Sequence, residues 1–260
     1  MKILFIGDIV GRVGRRIIKE KISYYVNKYD IDFVIANGEN ATHGKGLIEN
    51  QYYELVDAGV DCVTLGNHYD SKSEIKNYLP RADRLVRPLN LLHDYPGEGS
   101  IVYDLDGISI RVTNVLGSAF MKEDVNSPYL SMLELLEGEE PCNIHIVDFH
   151  AEATGEKMCF ALALDGKVSA VIGTHTHVQT KDTRILPNGT AFISDVGMCG
   201  LYDGVLGFEK ETVVGKLIYG KETKFNTPDE GKALFCAVVL DIDENTGKAN
   251  DIFSIYDIEK

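Results

Sequence analysis

The chain lacks any apolar run long enough to span a membrane. Its opening residues, Met1–Asp8, hold a short apolar stretch with no small-residue cleavage site behind it, so no signal peptide is expected. Cysteine is sparse: Cys62, Cys142, Cys159, Cys199 and Cys236 are scattered, odd in number and never spaced as CxxC. That pattern argues against a thiolate-bound structural zinc and predicts reduced thiols in the cytoplasm. Positive charge is also short, with 26 Lys and Arg against 40 Asp and Glu and a net charge of -14. A firm grip on a nucleic-acid duplex needs cations that neutralise phosphates, so duplex binding is disfavoured, and a long RNA substrate with it. No tract is low in complexity or poor in apolar residues, and no repeat is visible, which predicts one domain over residues 1–260. Familiar signatures are missing as well. The glycines after the first apolar run lack GxGxxG spacing, Gly44-Lys45-Gly46 lacks the rest of a P-loop, and no GxSxG elbow occurs.

What is present is a regular alternation. Apolar runs at Lys2–Gly7, Asp32–Ala36 and Cys62–Leu65 read as buried strands. Between and after them, Arg12–Tyr29, Asn50–Ala58 and Ser71–Leu79 read as helices, the last opened by a Ser71 cap and closed before Pro80. This β-α-β-α-β-α order predicts a mainly parallel sheet with crossover helices. Hairpins follow, around Asp106-Gly107 and around Asn188-Gly189. Pro128–Leu136 reads as helix, and Asn143–Phe149 and Val168–Gly173 as strands with room for a helix between. The Gly-rich stretch Asp203–Pro228 reads as a loop with a short helix from Glu209, and Ala233–Asp243 and Asp251–Ile258 as a closing strand pair. Parallel strands early and hairpins later predict an α/β fold of two packed sheets with helices outside.

The position of the polar residues carries the chemistry. Each apolar run ends in a group able to bind metal: Asp8, then Glu39 and Asn40, then Asn67 and His68, then His150, then His175 and His177. Ligands of open α/β sheets gather at the carboxyl ends of the strands, where such residues would meet. Any one of them could merely cap a helix or close a turn. Their joint placement points to a site, with His175 and His177 expected on one side of an extended segment. His43, His93 and His145 lie outside this pattern. The set mixes carboxylate, amide and imidazole without thiolate, which suits Mn or Fe, with Zn as a third option. It is too large for one ion. Two ions roughly 3.5–4 Å apart can polarise the attacking and leaving oxygens of a phosphoester.

The motifs themselves resemble a known family. Gly66-Asn67-His68 and Gly173-Thr174-His175-Thr176-His177 look like motifs of the calcineurin-like metallophosphoesterases. GDIVGRVGR, NGENATHGKG, LGNHYDSK, VDFHAEATGEK, GTHTHVQT and DVGMCGLYDGVLG resemble the YmdB family within them, over residues 7 to about 207. The resemblance implies a four-layer αββα sandwich of two mixed sheets flanked by helices. It implies a first metal on Asp8 and His177 with Asn40, a bridging Glu39, and a second metal on Asn67, His150 and His175. His68 would protonate the leaving oxygen or steady the phosphoryl charge. Two departures from the broad superfamily, Val10 in place of a histidine and Glu39 in place of an aspartate, are shared by the YmdB-like group. The implied substrates are small phosphodiesters, including cyclic nucleotides such as 2′,3′-cyclic nucleotides or cAMP. A phosphomonoesterase or nucleotidase is the alternative, with Arg12, Arg15 and Lys45 as extra cations, and a non-catalytic metal-bound scaffold is a third. Oligomerisation stays open.

Overall fold

The computed structural model describes residues 1–260. The first half alternates as expected: β1 (Lys2–Ile6), β2 (Asp8–Ile9), α1 (Gly11–Tyr29), β3 (Phe33–Asn37), α2 (Glu49–Asp57), β4 (Cys62–Thr64), α3 (Ile75–Tyr78) and β5 (Leu85–Val86). Then come β6 (Ser100–Leu105), β7 (Ile108–Leu116), α4 (Pro128–Gly138), β8 (Ile144–His150), α5 (Thr154–Ala163) and β9 (Ala170–Thr174). The chain closes with β10 (Arg184–Ile185), β11 (Ala191–Ile193), β12 (Met198–Leu201), α6 (Lys210–Leu217), β13 (Ala233–Ile242) and β14 (Ala249–Ile258).

These strands build two mixed sheets. In the first, the order is β2-β12-β13-β1-β3-β4-β5, with β14 also paired to β13. Here β1, β3, β4 and β5 run parallel, and β13 is antiparallel to β1. In the second, β10-β11-β9-β8-β7-β6, the central strands β7, β8 and β9 are parallel and both ends are hairpins. The β6–β7 turn is Asp106-Gly107, with φ of 52° and 87°, the double left-handed turn that matches strand twist.

Apolar side chains fall into layers. Leu4, Ile6, Val34 and Ala36 pack under α1 and α2 with Ile17, Ile18, Tyr52 and Leu55. The opposite rows, Ile3, Phe5, Phe33 and Ile35, meet Ile110, Val112, Ile144, Ile146 and Ile172 of the second sheet. The outer face of that sheet, with Val147 and Phe149, packs against Met132 of α4 and Phe160 and Ala161 of α5. The inter-sheet rows turn polar at their carboxyl ends. Asn37, Thr64, Asn114, Asp148, His150 and Thr174 continue the inward alternation and are all fully buried.

Two expectations need correction. The helix predicted over Ser71–Leu79 is a single turn, α3, followed by a 3₁₀ turn at Leu79–Arg81. Ser71 caps nothing. The chain from Gly66 makes consecutive tight turns instead, with the Tyr69 N–H on the Gly66 carbonyl and the Ser71 N–H on the His68 carbonyl. The second correction is that Asp8 does not end β1. β1 stops at Ile6, and Gly7 lets the chain pass against the carbonyl of Gly197, where a Cβ would clash. The chain then leaves β13 and pairs with β12, Asp8 opposite Met198.

Candidate metal centre

The eight candidate residues come from five separate segments, and the two sheets bring them together at the carboxyl ends of their strands. Glu39 sits in the middle and is 1% exposed. Its Oε1 lies 3.0 Å from Asn40 Nδ2 and 3.1 Å from His150 Nε2, and its Oε2 accepts the His68 N–H at 2.9 Å. On one side, Asn40 Nδ2 stands 3.1 Å from His177 Nε2 and 3.5 Å from Asp8 Oδ1, and Asp8 Oδ1 is 3.7 Å from His177 Nε2. On the other, His150 Nε2 is 3.0 Å from Asn67 Oδ1 and 3.0 Å from His175 Nδ1. Glu39, His150 and His175 offer donor atoms all within 4.8 Å of one another. His68 Nδ1 donates to Asn40 Oδ1 at 2.9 Å.

The glycine of Gly66-Asn67-His68 has a steric cause. A Cβ at Gly66 would stand 2.5 Å from His150 Nε2 and nearer still to Glu39 Oε2. Only a residue without a side chain lets Asn67 enter between these donors.

Groups behind the site fix the histidines. Thr174 Oγ1 gives its one proton to Asp148 Oδ1 at 2.6 Å, so it must accept from His150 Nδ1, 2.9 Å away. Asn37 Nδ2, at 3.0 Å, and Thr64 Oγ1 also donate to Asp148. His150 Nε2 is therefore the outward lone pair. His177 is set likewise, because its Nδ1 donates to the Leu206 carbonyl at 3.1 Å and leaves Nε2 toward Asp8. The loop carrying His175 and His177 is held by a buried pair. Lys157 Nζ donates to Asp195 Oδ2 at 2.9 Å and to the Thr174 carbonyl at 2.7 Å. Asp195 Oδ2 in turn accepts the Thr176 N–H at 3.0 Å.

His150 provides the test of whether a cation fits. Its Nε2 faces Glu39 Oε1, Asn67 Oδ1 and the His175 ring within about 3.1 Å. Two of these neighbours are oxygen acceptors, and a proton or a metal ion on Nε2 satisfies both at once. The electrostatics agree. Burial alone would depress the His150 ring, yet the Glu39 charge and hydrogen bond raise it to about 9. Burial pushes the Glu39 carboxyl up, but His150 and His68 outweigh it and hold it well below the usual range. Burial lifts Asp8 to about 6 against the pull of His177 and His150. Burial, then the His150 charge, pushes His175 down to about 3, which leaves it a neutral donor. The donor set fits divalent cations of the Mn, Fe and Zn kind.

The structure places other sequence readings differently. His175 and His177 were expected on extended backbone, but β9 stops at Thr174 and both take left-handed φ, 100° and 65°. Strained backbone of this kind costs on the order of 1–3 kcal/mol per residue and concentrates at functional sites. The two arginines proposed as extra cations are engaged elsewhere. Arg15 bonds Glu54 and the Ala41 carbonyl, and exposed Arg12 pairs with Asp229. Lys45 does line a cleft of about 470 Å³ with Asn67, His68 and His175. His145 is a buried structural residue bonded to Thr113. The sequence reading missed Asp148, Thr174, Lys157 and Asp195. Asp148 and Thr174 were detectable: each holds an inward position in a strand, in line with apolar residues, where a polar group needs a reason.

No helix is long and apolar enough to cross a membrane. A relative named 2′,3′-cyclic-nucleotide 2′-phosphodiesterase, from Bacillus subtilis (strain 168), is 45% identical over 250 residues, 96% of this chain and 94% of its own length. A solved structure described as a novel phosphatase, from Mycoplasma pneumoniae, superposes with a TM-score of 0.93 at 39% identity, covering 100% of this chain and 94% of that one. A putative 5′-nucleotidase from Staphylococcus aureus shares the fold at a TM-score of 0.59 and 16% identity, over 98% of this chain and 54% of that one. With the polar cluster described above, these likenesses define a hydrolytic phosphoesterase. The family model described as YmdB-like protein matches residues 4–255, and the chain belongs to that family.

Proposed function

We propose that the protein is a dinuclear metal-dependent phosphodiesterase whose substrates are small cyclic nucleotides, with 2′,3′-cyclic nucleotides ahead of cAMP. The observation that carries the metal dependence is the outward Nε2 of His150, set by Thr174 and facing Glu39 and Asn67. Asp8 and His177 would hold one ion, joined by Asn40 once its amide turns Oδ1 toward them, and Asn67, His150 and His175 the other, with Glu39 between them. When bound, the ions would supply positive charge against the phosphoryl oxygens and an attacking water of lowered pKa. Fe or Mn fits the donor set best, with Zn third. His68 is the proton donor to the leaving oxygen. Its Nδ1 is spent on Asn40, which leaves Nε2 for the substrate. Burial lowers its pKa, against the pull of Glu39, so its imidazolium is a stronger acid than free histidine. Lys45 meets the phosphate from the rim of the cleft. The diester reading is placed ahead of the monoester one on the name of the Bacillus relative, and Arg15 is already engaged by Glu54 and the Ala41 carbonyl.

The preference for 2′,3′-cyclic nucleotides rests on the name of the Bacillus relative. We read the layers of core as a four-layer αββα sandwich forming one domain over residues 1–260. The five free thiols suit a cytoplasmic protein.

Hydrolysis of bis(p-nitrophenyl) phosphate by purified, chelator-stripped and Mn-reconstituted protein tests the reading, followed by adenosine 2′,3′-cyclic phosphate with the product isomers resolved. Activity should vanish on stripping, return with Mn, and yield the 3′-monophosphate. His68→Ala should lose turnover and keep its metal, whereas His175→Ala should lose both. Stripped protein as active as the reconstituted form would refute metal dependence, and activity confined to monoesters would refute the diester assignment.

A further inference from the structure

Phe120 is 88% exposed, more than any other large apolar side chain, and its backbone takes a left-handed φ of 62°. An aromatic residue gains nothing from either condition in the free protein. It does not lie on a loose loop. Before it, the Gly117 N–H donates to the His150 carbonyl at 3.0 Å, and Ser118 and Ala119 donate backbone N–H groups to Glu156. After it, Glu123 accepts from Asn67 Nδ2 at 3.3 Å. The segment is thus fastened on both sides to residues of the metal centre, and Phe120 projects from between the fastenings. It lines the same cleft of about 470 Å³ as Asn67, His68, His175 and the exposed Lys45 and Lys122. That volume suits a mononucleotide, with the phosphate among the polar groups and an aromatic face in the same lining.

We propose that Phe120 is a specificity-determining residue that stacks on the nucleobase while the phosphate occupies the metal centre. The proposal rests on the cyclic-nucleotide reading above and deepens it. Stacking uses the π-face common to all bases, so it selects nucleotides over other diesters and discriminates weakly among bases.

Two ligand pairs test it, each with and without a base. In calorimetry on the Mn-loaded protein, adenosine 3′-monophosphate is compared with glycerol 2-phosphate. In turnover, adenosine 2′,3′-cyclic phosphate is compared with glycerol 1,2-cyclic phosphate. Loss of one base–aromatic stack corresponds to roughly 5- to 150-fold in affinity. Phe120→Leu should therefore weaken the adenosine ligand at least about fivefold and raise KM for the cyclic adenosine substrate alike, with kcat within about twofold. Both glycerol ligands should be unaffected, and Phe120→Trp should restore the wild-type values. Equal loss on both members of a pair, or no loss on either, overturns the stacking role. If the wild-type enzyme turns over neither cyclic phosphate, the cyclic-nucleotide reading falls, and calorimetry still decides for or against Phe120.

Discussion

Replacing Lys157 by Met removes one half of the buried pair beneath the His175–His177 loop while keeping most of the side-chain volume. Both partners are 2% exposed. Without the ammonium group, the Asp195 carboxylate keeps only the backbone N–H groups of Thr176 and Gly197, and the Thr174 carbonyl loses its Lys157 donor. An uncompensated buried charge of this kind costs about 3–5 kcal/mol. For a chain of this size that is a fall of roughly 6–20 °C in Tm. Unfolding would be followed in chelator, so that metal loss does not enter the difference. Asp195→Asn alone strands the ammonium and should cost a similar amount. The double variant Lys157→Met/Asp195→Asn removes both charges and should be less destabilised than the sum of the singles, with a coupling of about 1–3 kcal/mol. A Lys157→Met variant within about 0.5 kcal/mol of wild type, or strict additivity in the cycle, would refute the account.

Three further outcomes are expected. Thr174→Val deletes the hydroxyl between Asp148 and His150, and metal affinity should fall roughly 10- to 100-fold by competition with a chelating dye, with little change in fold by circular dichroism. Gly66→Ala pushes a methyl group against His150 Nε2 and Glu39 Oε2; bound metal, measured by elemental analysis, should be largely lost, and a fully loaded, active variant would sink the steric explanation. Burial and then the Arg111 charge hold the His145 pKa at about 3, so between that value and about 6.5 the unfolded chain binds the proton and the folded one does not. Stability should therefore drop as pH falls through this window, by at most about 1.4 kcal/mol per pH unit from this residue, and His145→Gln should flatten the dependence of the urea midpoint between pH 6 and pH 4.

How far the sequence leads can be judged residue by residue. Local periodicity marks β1, β3, β4, β8 and β9 closely, because buried strands need uninterrupted apolar side chains. The candidate ligands were visible for the same reason, as the first polar residues after such runs. What escaped depends on distant partners. The pairing of β2 with β12 joins Asp8 and Ile9 to Met198 and Cys199, and two residues carry no periodicity of their own. The left-handed backbone at His175 and His177 is imposed by bonds to Asp8 and Asp195 from other segments, so an extended reading was the natural local inference. Lys157 looked like an ordinary helix residue, and only the packing of α5 on the second sheet shows that its ammonium group is buried.

The place of β1 in its sheet has a consequence for synthesis. β1 is flanked on one side by β3, which follows it closely in the chain, and on the other by β13, which ends at Ile242. A ribosome adding about 5–20 residues per second needs roughly ten to fifty seconds to deliver that second neighbour. Until then, β1 presents an unpaired apolar edge of the kind that recruits other chains. Asp8 likewise has no β12 beside it until residues 198–201 emerge. Nascent chains should therefore expose an aggregation-prone half-sheet, and Asp8 is fixed for metal capture only after residues 198–201 have been made.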